Sequence, residues 1–296
     1  MMEVTSSIVG QKLKEFKTSV DQRKINNYAA AVNDLNPLYL DDRLSSGLLA
    51  PPTLPAAITW PLINNIYEYI DLAYPPEVLL RLVHYSEHLE IHQPLRPGCQ
   101  VTINGEVAAV LPGSKGTHVI FKLPAYNEHG EALFTEYIGG LLRGVNCADS
   151  GRGSENLPKH PQGDQTESSI WETAIPITRA ACYIYEGCAD VPFPIHTSPA
   201  FAQSVGLPDI IYFGVATLAQ AVRELVNREN NADPSTVSEV ACRFRGMVLP
   251  ETFIRVQLTG RTINKERKEL FFRVLNHEGR EAVSEGYLKI AHTIDS

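Results

Sequence analysis

Two proline-stiffened loops, half a chain apart, constrain this sequence more than any other feature. Asn33-Asp34-Leu35-Asn36-Pro37-Leu38-Tyr39 and Asp190-Val191-Pro192-Phe193-Pro194-Ile195-His196 each follow a helix-like segment, carry a proline two places before their last residue and lead toward an apolar run. Pro37 and Pro194 stand 157 positions apart, as do Tyr39 and His196. Similarity at this spacing points to one domain duplicated, because the repeats of a solenoid run only about 20 to 50 residues. The chain has 296 residues, 44% hydrophobic and 20% charged, enough for two domains that each bury a core.

The element order repeats accordingly. In the first half a strand is predicted from Gly10 to Ser19, and Asp21 can cap an amphipathic helix through Val32, with Ile25, Tyr28, Ala29 and Val32 at helical spacing. Ala50-Pro51-Pro52-Thr53 then enters an apolar segment, Leu54 to Ile70, that reads as helix with its true start nearer Trp60, since Pro55 and Pro61 suit a first turn. From Leu79 the period changes to two, and turn signals separate four antiparallel strands near 80–92, 99–110, 116–126 and 132–143. In the second half Ile170 to Ile177 is a strand, Thr178 caps a helix through Tyr185, and an apolar helix at 211–226 precedes strands near 236–247, 252–263, 268–277 and 281–292. The predicted class is α+β: two antiparallel sheets, each wrapped around a central helix, in domains 1–144 and 169–296. Residues 145–168, rich in Gly, Ser, Asn and Pro, read as a surface linker between them.

Charge and cysteine usage narrow the function classes. Lys and Arg number 26 against 34 Asp and Glu, a net charge of −8 without blocks of one sign, so nucleic acid and anionic membranes are not expected partners. Cys99, Cys147, Cys182, Cys188 and Cys242 are scattered without metal or redox spacing, which suits reduced thiols, and no leader or membrane-spanning run is visible, so a soluble cytoplasmic protein is expected. His84, His88 and His92 alternate along one predicted strand face; no carboxylate or thiol completes a metal site, and packing is the expected role. Motifs for acyl-serine hydrolysis or phosphate cradling are absent, and no cofactor is expected.

The second loop places a carboxylate, Asp190, and an imidazole, His196, just ahead of the apolar helix, an arrangement suited to acid/base chemistry. Pro194-Ile195-His196, Phe201-Ala202, Gly206 and Gly214 resemble the hydratase motif of the MaoC-like (R)-specific enoyl-CoA hydratases and 3-hydroxyacyl thioester dehydratases in their two-domain, double hot-dog form. The first half, with Asp34-x-Asn36-Pro37-Leu38-Tyr39, is similar to the family's non-catalytic partner domain, where tyrosine replaces histidine. Four positions depart from the pattern. Val191 stands five residues before His196, where the family has Asp; Phe193 replaces Asn, Ser198 an acidic residue, and Phe213 the His before the helix-start glycine.

The resemblance implies a hydro-lyase that adds or removes water at a 2-enoyl or 3-hydroxyacyl thioester of CoA or an acyl carrier. It implies His196 as an acid/base group, with Asp190 as its partner if Pro192 and Phe193 reroute the loop to absorb the one-residue shift, and the Gly214 N–H facing the thioester oxygen; the bulky Phe193 and Phe213, with neighbouring Tyr212, would make the site drier and motivate the repurposed reading below. Arg245, with Arg243, could meet CoA phosphates. The two halves should dock as an intramolecular pseudo-dimer, and a homodimer of the whole chain is compatible with this. Two other readings stay open: a repurposed hot-dog isomerase, cyclase or dehydratase of a specialised metabolite, and a non-catalytic partner subunit.

Overall fold

The computed structural model describes residues 3–71, 76–163 and 165–291. The first half contains β1 (Glu3–Val4), β2 (Phe16–Val20), α1 (Gln22–Ala31), α2 (Pro37–Leu40), α3 (Leu54–Ile58), α4 (Trp60–Asn64), α5 (Ile66–Tyr69), β3 (Leu82–Ile91), β4 (Cys99–Ile103), β5 (Glu106–Gly113), β6 (Gly116–Tyr126) and β7 (Ala132–Arg143). After β8 (Asn146–Cys147), which pairs with β1, the programme restarts: β9 (Trp171–Ile177), α6 (Arg179–Ala189), α7 (Pro199–Ser204), α8 (Gly214–Glu229), β10 (Val237–Phe244), β11 (Thr252–Ile263), β12 (Arg267–Leu275) and β13 (Glu281–Ala291). Local rules explain the helix starts: Asp21 accepts from Lys24 N–H ahead of α1, and Thr178 accepts from Ala181 N–H ahead of α6. The last residue of the strand predicted at 281–292 lies outside the described residues.

The two expected antiparallel sheets join edge to edge. β3 pairs antiparallel with β10, Val240 opposite Leu89 and Ala241 opposite His88, so an 11-stranded sheet runs β2-β4-β6-β7-β3-β10-β13-β12-β11-β9, with β5 also on β6. Each half would otherwise present an unpaired edge of N–H and C=O groups, and joining the edges satisfies both. Under this join α1 packs against α6, Tyr28 and Tyr185 meeting edge to face at 6.0 Å. Arg223 of α8 donates to Val32 O and Asn33 O at the end of α1, and Asn36 Nδ2 donates to Ala232 O, so each half finishes the other's helix ends.

Two expectations are corrected. The helix predicted over Leu54 to Ile70 is three short helices, α3 to α5; Pro55 and Pro61 stand in the first turns of α3 and α4, where neither can donate an N–H, and α4 ends at Asn64 before α5 begins at Ile66. The counterpart, α8, lacks proline and runs 16 residues unbroken. The strand predicted at 99–110 breaks into β4 and β5 around Asn104 and Gly105; a side chain at Gly105 would collide with Leu123 Cδ2 at 2.7 Å. Residues of the stretch predicted as a linker touch both halves. Arg152 exchanges backbone hydrogen bonds with Val110, Gly153 lies at φ 90° against Ala108 O, Gly163 abuts the Phe271 ring, and Thr166 N–H donates to Thr259 O.

Candidate active site

The second loop is built from the end of α6. Asp190 adopts the left-handed conformation, φ 57°, as the C-cap residue, its N–H returning to Glu186 O. The turn sends Val191 inward, where it is buried, and leaves Asp190 exposed. A short turn, Pro194–His196, follows, pinned by Glu186: Oε1 accepts from Phe193 N–H at 3.1 Å and from the Thr197 hydroxyl at 2.9 Å.

His196 sits where this turn meets the start of α8. Its Nδ1 lies 2.8 Å from Ile211 O, and a carbonyl only accepts, so Nδ1 carries the hydrogen and Nε2 presents a lone pair when the ring is neutral. The ring is stacked on Phe213, centroids 3.7 Å apart, and Phe193 lies 6.0 Å away. Burial among these rings pushes the imidazole down to about 4, against the opposing pull of the Ile211 carbonyl, so the ring is neutral at ordinary pH. α8 begins at Gly214 with no side-chain cap from Phe213, which leaves first-turn N–H groups and the positive end of the helix dipole beside the imidazole. Gly214 is needed for close packing, since a Cβ there would stand 3.0 Å from the Phe244 ring.

The structure therefore brings together His196, Phe193, Phe213 and Gly214, with Tyr212 beneath them. The Tyr212 hydroxyl accepts from Gln220 Nε2 at 3.1 Å, and burial raises its proton affinity, so it packs the helix start as a neutral phenol. Two expected members are elsewhere. Asp190 forms no hydrogen bond or ion pair with His196 among the described residues, because the left-handed cap aims it at solvent and Val191 fills the inward position. Arg245 lies on the outer face of the sheet: its neighbour Phe244 turns inward to Gly214, whereas Arg245 is exposed, bonds Ser284 Oγ at 3.0 Å, pairs with Glu285 at 3.1 Å and covers Tyr85.

Sequence reasoning missed two contributors. Glu186, one turn before the helix end, could have been found as a carboxylate able to reach back over the loop. Trp60, whose ring meets Phe193 at 5.9 Å, comes from the other half, and no local signal links the two. The histidine reading also changes: a β-bulge between His84 and Ser86 puts His84 on the inner face against Phe244, whereas His88 stands outside beside Glu239 and Tyr137. Two surface clefts, lined by residues of 50–55, 91–95 and 234–238 with Phe134 and Ala291, include none of the residues of the His196 site.

Comparison with known proteins bears on the whole chain. Residues 7–136 match the family described as FAS1-like, dehydratase domain region, and residues 164–280 match the MaoC like domain. The chain is 23% identical to the peroxisomal enoyl-CoA hydratase 2 of Arabidopsis thaliana over 266 residues, 83% of this chain and 84% of that one. It is also 23% identical to the enoyl-CoA hydratase ChsH3 of Mycobacterium tuberculosis, across 67% of this chain and 70% of the relative. In fold it is similar to a crystal structure of a MaoC-like dehydratase from Phytophthora capsici, with TM-score 0.81, 18% identity and 98% of each chain covered.

Proposed function

Because the chain joins a FAS1-like dehydratase region to a MaoC-like domain, we propose that it is a hydro-lyase acting on a 2-enoyl or 3-hydroxyacyl thioester, CoA being the carrier suggested by its relatives. The observation that carries the reading is the Nδ1 contact of His196 with Ile211 O, which aims a free Nε2 beside the uncapped start of α8. In the hydration direction Nε2 takes a proton from water as the water oxygen bonds to Cβ. Negative charge then develops on the thioester oxygen, where N–H groups of the first turn of α8, Gly214 foremost, stabilise it. The imidazolium returns the proton to Cα, so one water is added and the base regenerated; dehydration is the reverse. An imidazole of low proton affinity is a ready donor for that second half-step. Asp190 takes no part in this scheme, and Glu186 holds the loop in place.

Incubating the purified protein with crotonyl-CoA, and separately with (R)-3-hydroxybutyryl-CoA, while following enoyl absorbance tests the reading. Turnover that His196→Ala abolishes supports it; no turnover with these or longer acyl chains overturns it. Free-thiol release measured in the same reaction separates hydration from thioester hydrolysis.

A further inference from the structure

The backbone frame that holds His196 is repeated in the first half. Ile211 N–H donates to Ile195 O and Tyr212 N–H to Val248 O at 2.8 Å; correspondingly, Leu49 N–H donates to Leu38 O at 2.8 Å and Ala50 N–H to Leu95 O at 2.9 Å. These bonds fix the equivalences residue by residue. Tyr39 follows Leu38 as His196 follows Ile195, and Pro51-Pro52 follow Ala50 as Phe213-Gly214 follow Tyr212. Ile91 precedes Leu95 by the same interval as Phe244 precedes Val248. The first half therefore carries a structural counterpart of the candidate active site. It lies at the opposite end of the β3–β10 join, where the end of β3 meets the start of β10.

The counterpart has lost the chemistry and gained room. Tyr39 is buried, and burial, with Asp34 and Asp233 nearby, holds its phenol well above the ordinary value, so it stays protonated where His196 offers a base. Pro51 and Pro52 have no N–H, which removes the donors that the first turn of α8 presents. The rings of Phe193, Phe213 and Phe244 give way to the smaller Asn36, Pro51 and Ile91. An open cleft lies at this end: Pro51, Pro52, Ile91 and Val237 line its inner part, and past Gln93 and Pro94 it widens to about 220 Å³. An apolar cavity of about 150 Å³ already holds a benzene molecule, so a short chain has space here. The lining limits the ligand further. Its inner part is mainly proline and aliphatic, and its outer part adds the hydroxyls of Ser235, Thr236 and Ser238. Among the described residues no Asp, Glu, Lys or Arg lines either part, and the imidazole of His92 is engaged with Thr135 Oγ1 at 3.0 Å. A charged group would find no partner there, whereas an aliphatic chain followed by amides meets apolar and then hydrogen-bonding surface in that order.

We propose that this cleft is a second, non-catalytic binding site for the uncharged part of an acyl thioester, the acyl chain against Pro51, Pro52 and Ile91 and the amides of a pantetheine-like arm toward Gln93 and the hydroxyls. The proposal rests on the thioester reading above, because the cleft is the counterpart of the site assigned to that substrate, and it adds a site that holds the ligand without turning it over. It is tested by equilibrium dialysis of the full chain against radiolabelled S-butanoyl-N-acetylcysteamine, an uncharged thioester with neither a double bond to hydrate nor a hydroxyl to eliminate. Wild type should hold two molecules per chain. Gln93→Trp, at an exposed position on the lip, should hold one and keep the wild-type kcat for crotonyl-CoA. Ser235→Trp, exposed on the facing lip, is the second block should Gln93→Trp fail to fold. No bound thioester, or an amount bound that neither variant lowers, overturns the inference alone. No turnover of crotonyl-CoA or of any longer enoyl thioester overturns the reading on which it rests.

Discussion

The imidazole of His196 lies nearly flat on the ring of Phe213, planes 25° apart, while its Nδ1 is tied to the backbone at Ile211. The stack fixes the ring plane and the carbonyl fixes which nitrogen faces outward. Together they give an acid/base group with one orientation, one tautomer and a dry face.

The first consequence concerns pH. The free His196 imidazole is held at about 4, so kcat/KM for crotonyl-CoA should be level across pH 5 to 8 and fall only on the acid side near that value. A measured inflection at about 6.5, the ordinary value for histidine, would contradict the buried, stacked arrangement.

Replacement separates the two residues that the loop sequence pairs. His196→Ala should lower kcat by roughly 10²-fold or more, as loss of a positioned acid/base group does. Asp190→Asn should leave kcat within about two-fold and stability within about 0.5 kcal/mol, because the exposed cap carboxylate touches nothing at the site. Steady-state kinetics of both variants decide this; equal damage would restore Asp190 to the chemistry.

Glu186 should behave as a positioning residue. Glu186→Ala leaves Phe193 N–H and the Thr197 hydroxyl without their shared acceptor, at a cost of about 1–3 kcal/mol in stability, and should lower kcat by loosening the His196 turn. Glu186→Gln keeps an acceptor oxygen and should recover most of the activity. Failure of Gln to recover any activity would mean that the carboxylate does more than hold the loop.

The buried carboxyls should be visible in stability against pH. The folded state raises Glu87 from 4.5 to about 8 and so binds its proton more tightly than the unfolded chain. Its contribution is complete below about pH 4.5 and is lost as pH rises toward 8, by at most about 1.4 kcal/mol per unit. The depressed histidines, His84 and His196, act oppositely, weakening the fold as pH falls from 6.5 to about 4. Denaturant unfolding of wild type and Glu87→Gln between pH 5 and 8 isolates the first effect: the advantage of wild type should shrink with rising pH, and a constant difference would show that Glu87 does not titrate there.

Much of the fold is legible because it is encoded over short distances. Asp21 and Thr178 cap the helices they precede, and β6, β7 and β11 fall where alternation and turn signals put them, since a cap and a pleat need only neighbouring residues. The readings fail where a local pattern meets a tertiary event. Counting by twos from His84 to His88 crosses a bulge that reverses the face, and the apolar run after Leu54 conceals helix breaks at its prolines.

The sequence by itself determined the duplication, the place of each loop ahead of its apolar run, and His196 as the imidazole at the mouth of the second helix. It could not settle what Asp190 does, because a one-residue shift becomes an outward turn only once the left-handed cap is formed and Val191 has an apolar interior to enter. Nor could it bring Trp60 against Phe193 beside His196. Those residues meet only when β3 pairs with β10 and α1 packs on α6, contacts between halves that hydrogen bonding and burial select and no short stretch of chain records.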